Sequence, residues 1–532
     1  MSESPPQPTL KLLPPEKHPF DNPDLPSYQH PSYRAVLPAL IMIQDLWQGQ
    51  WSWMQNGAVT ALDVAKKYLP QEEKETDASY KARLLRSPFD NYLKDAIVGF
   101  SGLLSTLLVG ETVIDSVKEN IQDVDLTGSN LATFWSYCTE SALKHGCTSV
   151  LTEYPQDPLD EEGNPIIQDL EIEREIRLRP YFCHIERYDI LNWKRHFEHG
   201  KMILDVVVIR ETVSEPLGIF GLTEVTQYRV LEPGAFSVWR IYEDDLGLPM
   251  AVIHESGLML DAKKAPLPVI PLTLFSVTEA DPFSAMPPFL DLLALNIRHF
   301  QSTSDYYEIL RLCNLPVPVR TGVVVPGQVD FSNVPDAVIG PRSMIDVPIG
   351  GDFAFAEPSG ATVEATRNSI KDLEDAIERK TLAFVGNGEA ARTATEVSLK
   401  SAQTQATLQN MGVLKESAIE EALKHWALYL GMTEGGGTIE CVKDVLTGPF
   451  DAQKIQALSA LVTATQLDLE TFLELLRDGK VIKKDADIPK IVSLVKAAKA
   501  EAMQQTLDAM AASALATPTA KRNPETDEAE AA

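Results

Sequence analysis

His196, Glu198 and His199 set two imidazoles and a carboxylate close together, residue types that can hold zinc. Their spacing is not H-E-x-x-H, and no regular element is predicted to present them. They read as polar surface or half-buried histidines rather than ligands. Gly386-Asn387-Gly388-Glu389-Ala390-Ala391 imitates the start of a dinucleotide fingerprint. That fingerprint needs a buried strand before it, so that the following helix N-terminus meets the pyrophosphate; here a charged helical stretch precedes it. No G-x-x-x-x-G-K-[ST] run occurs, which excludes a P-loop motor, and no G-x-S-x-G elbow occurs either. A Ser/His/Asp set cannot be assembled from sequence positions alone. Five scattered cysteines, Cys138, Cys147, Cys183, Cys313 and Cys441, form no C-x-x-C pair, which argues against a zinc ribbon or a disulfide framework and fits a reducing compartment. The expectation is a chain without metal, cofactor or catalytic residues.

The strongest organisation lies in residues 282–430. After Asp281-Pro282, a signal for helix onset, Phe289, Leu292, Leu293, Asn296, Ile297, Phe300, Thr303, Tyr307 and Leu310 recur at three- and four-residue steps. The pattern stops near Leu315, because Pro316 and Pro318 lack amide donors and restrict their predecessors. Residues 317–355 are β-branched and broken by Gly and Pro, which predicts a small strand-and-turn insert. Val363, Thr366, Ile370, Leu373, Ile377, Lys380 and Phe384 then form a narrow, coiled-coil-like seam, with Glu364, Asp372, Glu374, Asp375 and Glu378 off it. Such a seam requires helical neighbours. The acids beside it fit two readings, a solvated helix face or a row of carboxylates facing a channel. Glycines 386 and 388 predict a loop, and Thr393 with Glu396 has capping-box spacing. From there to Leu430 there is no proline, so a helix of about thirty residues, roughly 45 to 50 Å, can form before Gly431 and the glycines 435–437 end it.

With 532 residues, 44% of them apolar, the chain exceeds one ordinary core and predicts several domains or an elongated subunit. A formal charge of −29 argues against wrapping nucleic acid with a basic face, yet is compatible with a channel that DNA passes through without being gripped. The N-terminus shows no basic and apolar signal pattern, so the chain is expected to stay cytoplasmic. The apolar windows 35–43 and 96–109 are shorter than the roughly 20 residues a membrane span needs. Residues 1–30 are proline-rich and aperiodic and read as an arm that orders on a partner. Residues 34–48, 80–108 and 131–144 carry helical spacing, and Trp47, Trp51 and Trp53 read as packing anchors. The acidic stretch between Tyr154 and Pro180 predicts an exposed loop. Residues 202–211, 223–231, 236–242 and 249–254 predict an antiparallel sheet with a turn at Glu232-Pro233-Gly234. Two helices are predicted over 452–476 and 488–512, then a disordered tail, and no repeat of fixed period is present.

Helix, small β-rich insert, returning helix, glycine-bearing loop and long helix is an order that resembles the portal proteins of tailed bacteriophages and prophages. The resemblance covers roughly residues 33–430. The wording is similar too: Tyr68-Leu69-Pro70, then Tyr80-Lys81-Ala82-Arg83-Leu84-Leu85-Arg86-Ser87-Pro88-Phe89, Asp189-Ile190-Leu191-Asn192-Trp193, and Thr393-Ala394-Thr395-Glu396. It implies an α+β, mainly α portal fold: arm 1–30; wing 31–281, helical and then antiparallel β; stem helix 282–312; clip 313–358; stem helix 359–383; tunnel loop 384–392; spine helix and return 393–448; helical crown 449–515; and tail 516–532. It implies no enzyme but a homo-oligomeric ring of twelve at one capsid vertex of a virion, assembled in the host cytoplasm. Implied partners are the major capsid protein, the terminase large subunit, the head-tail adaptor, a scaffolding protein and double-stranded DNA, with no membrane. Phe384, Val385, Gly386, Asn387, Gly388, Glu389 and Arg392 would form the tunnel loop; Glu374, Glu378 and Lys380 would face the channel; Arg320, Asp330, Asp336 and Arg342 would serve docking at the clip. Twelve copies would carry about −350 formal charges, which keeps DNA mobile, while Lys380 and Arg392 make light contacts. An intracellular oligomeric scaffold, or a cytosolic hydrolase with an unrecognised site, are the alternatives.

Overall fold

The computed structural model describes residues 11–55, 58–155, 178–278, 281–313, 319–323, 345–348, 360–385, 394–432, 435–441, 452–463, 467–478, 481–482 and 487–515. The architecture is α+β and divides into two units, Met1–Lys443 and Asp444–Ala532. No described helix is long and apolar enough to cross a membrane.

The first unit opens with β1 (Lys11–Leu12) and α1 (Pro31–Trp47). Pro31 suits the first turn, where its missing N–H leaves nothing unsatisfied, and His30 caps the helix by accepting from Ser32 N at 3.1 Å. A small hairpin, β2 (Met54–Gln55) and β3 (Ala58–Val59), leads to α2 (Leu62–Tyr68), α3 (Asp77–Arg86) and α4 (Tyr92–Leu103), followed by β4 (Leu107–Val109), α5 (Asp115–Glu119) and α6 (Leu131–His145). The helical spacing of residues 80–108 is therefore interrupted. Pro88 stops α3, and Asn91 starts α4 by accepting from Lys94 N at 3.1 Å.

Strands β5 (Cys147–Glu153) and β6 (Tyr181–Glu186) come next, then β7 (Ile190–Glu198), β8 (Lys201–Leu217), β9 (Gly221–Glu232), β10 (Ala235–Glu243), β11 (Pro249–Leu258) and β12 (Leu272–Ser276). The expected antiparallel sheet is present, with order β1-β10-β9-β8-β7 and β11 on β10. The turn at Pro233-Gly234 closes the β9–β10 hairpin, Glu232 opposite Ala235, with Gly234 at φ +75°. A separate antiparallel sheet, β12-β5-β6, is absent from the sequence reading. Six successive residues of β5 are buried, so it lacks the alternation that betrays a half-exposed strand.

Residues 11–30 correct the expectation of an arm that orders only on a partner. β10 gives one side to β11 along its length; the other side pairs with β9 through Trp239 and then with Lys11 and Leu12. Leu13 and Leu25 are buried, and His18 Nδ1 lies 2.6 Å from the Tyr228 hydroxyl. The sheet edge supplies the hydrogen-bond partners of Lys11 and Leu12, and the chain then turns through a 3-10 turn, Pro15–Lys17, so no periodicity is needed. The core beneath joins Tyr33, Val36 and Leu40 of α1 to Ile190, Trp193, Val207, Ile209, Leu231 and Ile241 of the sheet. Of the three neighbouring tryptophans, Trp53 is buried and Trp51 is exposed.

The unit continues through α7 (Leu290–Cys313), β13 (Val319–Val323), β14 (Ile345–Pro348), α8 (Gly360–Val385), α9 (Ala394–Tyr429) and β15 (Ile439–Cys441). β13 and β14 pair parallel; β15 returns to pair antiparallel with β4. Asp281-Pro282 starts only a single 3-10 turn, Pro282–Ser284, with the Asp281 carboxylate accepting from Phe283 N at 3.2 Å. The long helix begins at Leu290 instead of 282, because Pro287 and Pro288 hold the intervening chain extended.

The second unit holds α10 (Ala452–Thr463), α11 (Leu469–Asp478) and α12 (Ile488–Leu515), the last two packed around Leu473, Ile488 and Val492. The helix expected over 452–476 is split: Asp468 opens α11, its carboxylate accepting from Glu470 N at 3.1 Å. The acidic loop at 156–177 and the tail at 516–532 lie outside the described residues.

Gly437 tests the β4–β15 return. It has φ +97°, and an added Cβ would lie 2.2 Å from Val113 Cα. Gly437→Ala should lower the unfolding free energy by about 2 kcal/mol or more. Gly99, on α4 with open space around it, is the control: Gly99→Ala should stabilise by about 0.5 to 1 kcal/mol. Urea unfolding of both variants checks the pair; equal effects would refute the steric argument.

Candidate functional site

The central stretch folds as a two-helix hairpin. Asp291 Oδ2 lies 2.8 Å from Lys380 Nζ, and His299 Nε2 lies 3.5 Å from Glu374 Oε1. One number rises as the other falls, so α7 and α8 run antiparallel. The seam spacing holds on α8, where Val363, Thr366, Ile370 and Leu373 are half-buried and Ile377 is buried. Glu364, Asp372, Asp375 and Glu378 are exposed.

The N-terminal helices grip the root of this hairpin through buried polar groups. The Asn296 amide donates to Asp90 O at 2.8 Å and accepts from Leu93 N at 3.2 Å, so one side chain satisfies two backbone groups at the start of α4. One turn or two further along, Gln301 Nε2 donates to Tyr68 O at 2.8 Å, and the Ser304 and Ser87 hydroxyls are 2.8 Å apart. Arg83 completes the grip. Its guanidinium donates to both Glu75 oxygens at 3.1 and 2.8 Å, to Pro70 O at 2.8 Å and to Ser304 Oγ at 3.4 Å. The Arg83 hydrogen bond holds the Glu75 carboxyl below its ordinary range. Phe300 fills an aromatic box, edge-on to Phe89 at 5.3 Å and tilted on Trp53 at 5.9 Å.

The large sheet fixes the approach to the hairpin. Asp281 pairs with Arg195, and the Arg195 hydrogen bond lowers its carboxyl. Trp193 stacks between Phe283 at 4.4 Å and His30 at 4.0 Å. The buried Arg187 guanidinium donates to Phe283 O at 2.7 Å and Ile190 O at 3.3 Å and lies 5.2 Å from the centre of the Trp193 ring.

Beyond Thr303 the cover thins. Tyr307 is exposed, Tyr306, Ile309 and Leu310 are half-buried, and Ile377 is the sole fully buried residue among the described side chains of α8. The distal half thus presents an apolar seam that the described residues of its own chain leave partly uncovered.

α9, 36 residues and about 54 Å long, buries Leu408, Met411, Ala418, Ile419, Ala422, Leu423 and Trp426. Its residue 415 lies on the same face and is a lysine. Fully buried, Lys415 donates to Leu104 O at 2.7 Å, and burial lowers its pKa to about 8. Helical spacing alone places 415 in line with 411, 418 and 422, although lysine usually marks the solvent side.

The expected site residues divide. Glu374 and Lys380 are engaged across the hairpin with His299 and Asp291, while Glu378 is exposed. Arg320 stands in β13 opposite Asp346. Asp330, Asp336, Arg342, Gly386, Asn387, Gly388, Glu389 and Arg392 lie outside the described residues, as does Thr393 of the capping box. Phe384 and Val385 belong to the last turn of α8. His196, on β7, is held by carboxylates, with Nδ1 2.6 Å from Asp205 and Nε2 3.5 Å from Glu198. Among the described residues no group of three or more His, Cys, Asp or Glu is placed to hold a metal. Burial pushes Cys147 up to about 12 and Cys183 to about 11, and brings His184 and His425 down to about 4, so these groups pack in uncharged form at neutral pH.

Lys415 makes stability depend on pH. Below pH 8 folded and unfolded chains both carry its proton; between about 8 and 10.5 the folded chain has shed it while the unfolded chain keeps it. Stability contributed by this site therefore rises with pH across that window. Relative to Lys415→Met, the wild type should gain about 2 kcal/mol between pH 7 and pH 10 in urea unfolding. A difference independent of pH would show that the amine is not desolvated.

A family model described as Domain of unknown function (DUF4055) matches residues 288–430, from the onset of α7 to the end of α9. No curated protein matches the chain. Among solved structures, the chain is similar to one in the "Virion of native gene transfer agent (GTA) particle", at 11% identity and a TM-score of 0.34, over 76% of this chain and 94% of that one. A likeness of that size carries no argument about what this chain does.

Proposed function

We propose that this chain is a portal protein of a tailed bacteriophage or prophage, a non-enzymatic virion subunit whose ring at one capsid vertex passes double-stranded DNA. The observation that carries the reading is the α7–α8 hairpin, clamped at its root and half-covered beyond Thr303. Each half-exposed Leu or Ile that a neighbour covers contributes about 1 kcal/mol. A seam of them, repeated in every copy, favours side-by-side packing of hairpins around an axis. In this reading α7 and α8 are the stem, β13 and β14 belong to the clip, α9 is the spine, and the N-terminal helices with the large sheet are the wing. Helices α10 to α12 are the crown. The formal charge of −29 per copy supports passage over grip, since duplex binding requires cations against phosphates. The clip would dock the terminase large subunit and the head-tail adaptor, and the capsid protein and scaffolding protein would surround the ring.

Negative-stain microscopy of the purified protein tests this directly. Closed rings with an axial channel, twelve-fold by resemblance, are expected; monomers or open aggregates alone would sink the proposal. A second test concerns residues 384–392 as a gate. Gly386→Ala with Gly388→Ala should leave rings intact and reduce packaged DNA or its retention, because alanine restricts backbone freedom without removing a core contact. Filling and retention equal to wild type would exclude a gate there.

A further inference from the structure

The large sheet ends in a two-stranded ribbon. β9 pairs with β10 only from Tyr228 to Glu232, whereas its residues 221–227 pair with β8 alone. At the tip, after Gly218 at φ +70°, Ile219 is 90% and Phe220 98% exposed, and Leu217 and Leu222 are exposed beside them. Single exposed apolar residues are ordinary; four at one tip of a projecting ribbon mark a contact site. The ladder register pairs Ser214 with Glu224 and Pro216 with Leu222, and puts Glu215 behind Leu217 on the opposite face. Each face of the ribbon thus carries a leucine ahead of a carboxylate. Arg240 already holds Glu215, whereas Glu224 is exposed.

Elsewhere in the same unit α1 lines a largely apolar groove of about 630 Å3 with Leu37, Pro38, Ile41 and Met42, and Arg34 and Lys67 also line it. Lys67 keeps half of its side chain in solvent while pairing with Asp45 at 3.4 Å. The groove thus combines apolar lining with two cations, and the ribbon an apolar tip with a carboxylate behind it.

We infer that the β8–β9 tip of one copy seats in the α1 groove of a second copy, with Ile219 and Phe220 entering between Leu37, Ile41 and Met42 and Glu224 meeting Arg34. Local charge complementarity points to this occupant, with Glu224 exposed on the ribbon and Arg34 lining the groove. Two copies at −29 each repel, so a contact that unites them needs an apolar centre and a local cation for each anion it brings. The tip and groove supply both. Because tip and groove are different surfaces of one chain, the contact is head-to-tail, the kind that closes into a ring when its rotation permits. The contact stands on these two surfaces; only its closure into a ring rests on the portal reading.

The test uses the full chain. Phe220→Cys in one preparation and Met42→Cys in another, mixed and mildly oxidised, should give a covalent dimer of the two that neither gives alone above the background of native cysteines. The double variant should give a ladder of multimers. Both positions are solvent-exposed, so folding is preserved. Phe220→Ser should weaken self-association at least tenfold in sedimentation, Glu224→Arg should weaken it too, and Glu224→Arg with Arg34→Glu should restore it. No mixed cross-link, an intramolecular cross-link alone, or self-association unchanged by Phe220→Ser would overturn the inference. Rings without the cross-link would leave the portal reading standing and remove this contact; the cross-link without rings would do the reverse.

Discussion

The arrangement depends on one buried amide. Asn296 gives its N–H to Asp90 O and takes the N–H of Leu93, joining the long helix α7 to the start of α4 at a single register. Apolar packing alone would leave the two helices free to slide or rotate by part of a turn, since dispersion has little directionality. A buried amide does not allow this: any slip strands the buried Leu93 N–H without a partner, at about 1 to 3 kcal/mol. Arg83 repeats the device on the next turns, bound at once to Glu75, Pro70 O and Ser304. Its charge is tolerated because four acceptor oxygens face it, which is also why removing one partner would be costlier than never having built the pair.

Residues 68–70, 80–89 and 189–193 share a physical task. Tyr68 and Pro70 offer carbonyls to Gln301 and Arg83, Ser87 meets Ser304, and Phe89 closes on Phe300. Ile190 offers its carbonyl to Arg187, and Trp193 stacks on Phe283 just before α7. Residues far apart in the chain converge on the root of one hairpin. Together they hold its orientation.

What could be read beforehand follows from how each element meets water. The hairpin strands of the large sheet alternate or are β-branched, the seam of α8 steps by threes and fours, and α9 has no proline, so all three were legible from residue order. β5 was not, because burial on both faces erases alternation. Neither was the docking of residues 11–30, whose partners, the backbone of a distant strand and the Tyr228 hydroxyl, lie far off in the sequence. The onset of α7 was misplaced because Asp281-Pro282 does cap a turn, but Pro287-Pro288 forbids its continuation. Lys415 was overlooked because residue type was weighed above position. Of the candidate site, the seam was visible and the grip at its root was not, since a buried Asn or Arg reads like a surface one until its partners are known.

The antiparallel course of α7 and α8 has a mechanical corollary. Both helices leave and rejoin the same body, with Asp291 beside Lys380 near the root. Equal insertions of whole turns into the two arms would lengthen the hairpin by about 5.4 Å per turn while leaving every contact of Asn296 and Arg83 untouched. The reach of the hairpin and the shape of what it carries are thereby uncoupled from the stability of its base, as the length of a tool is from its handle.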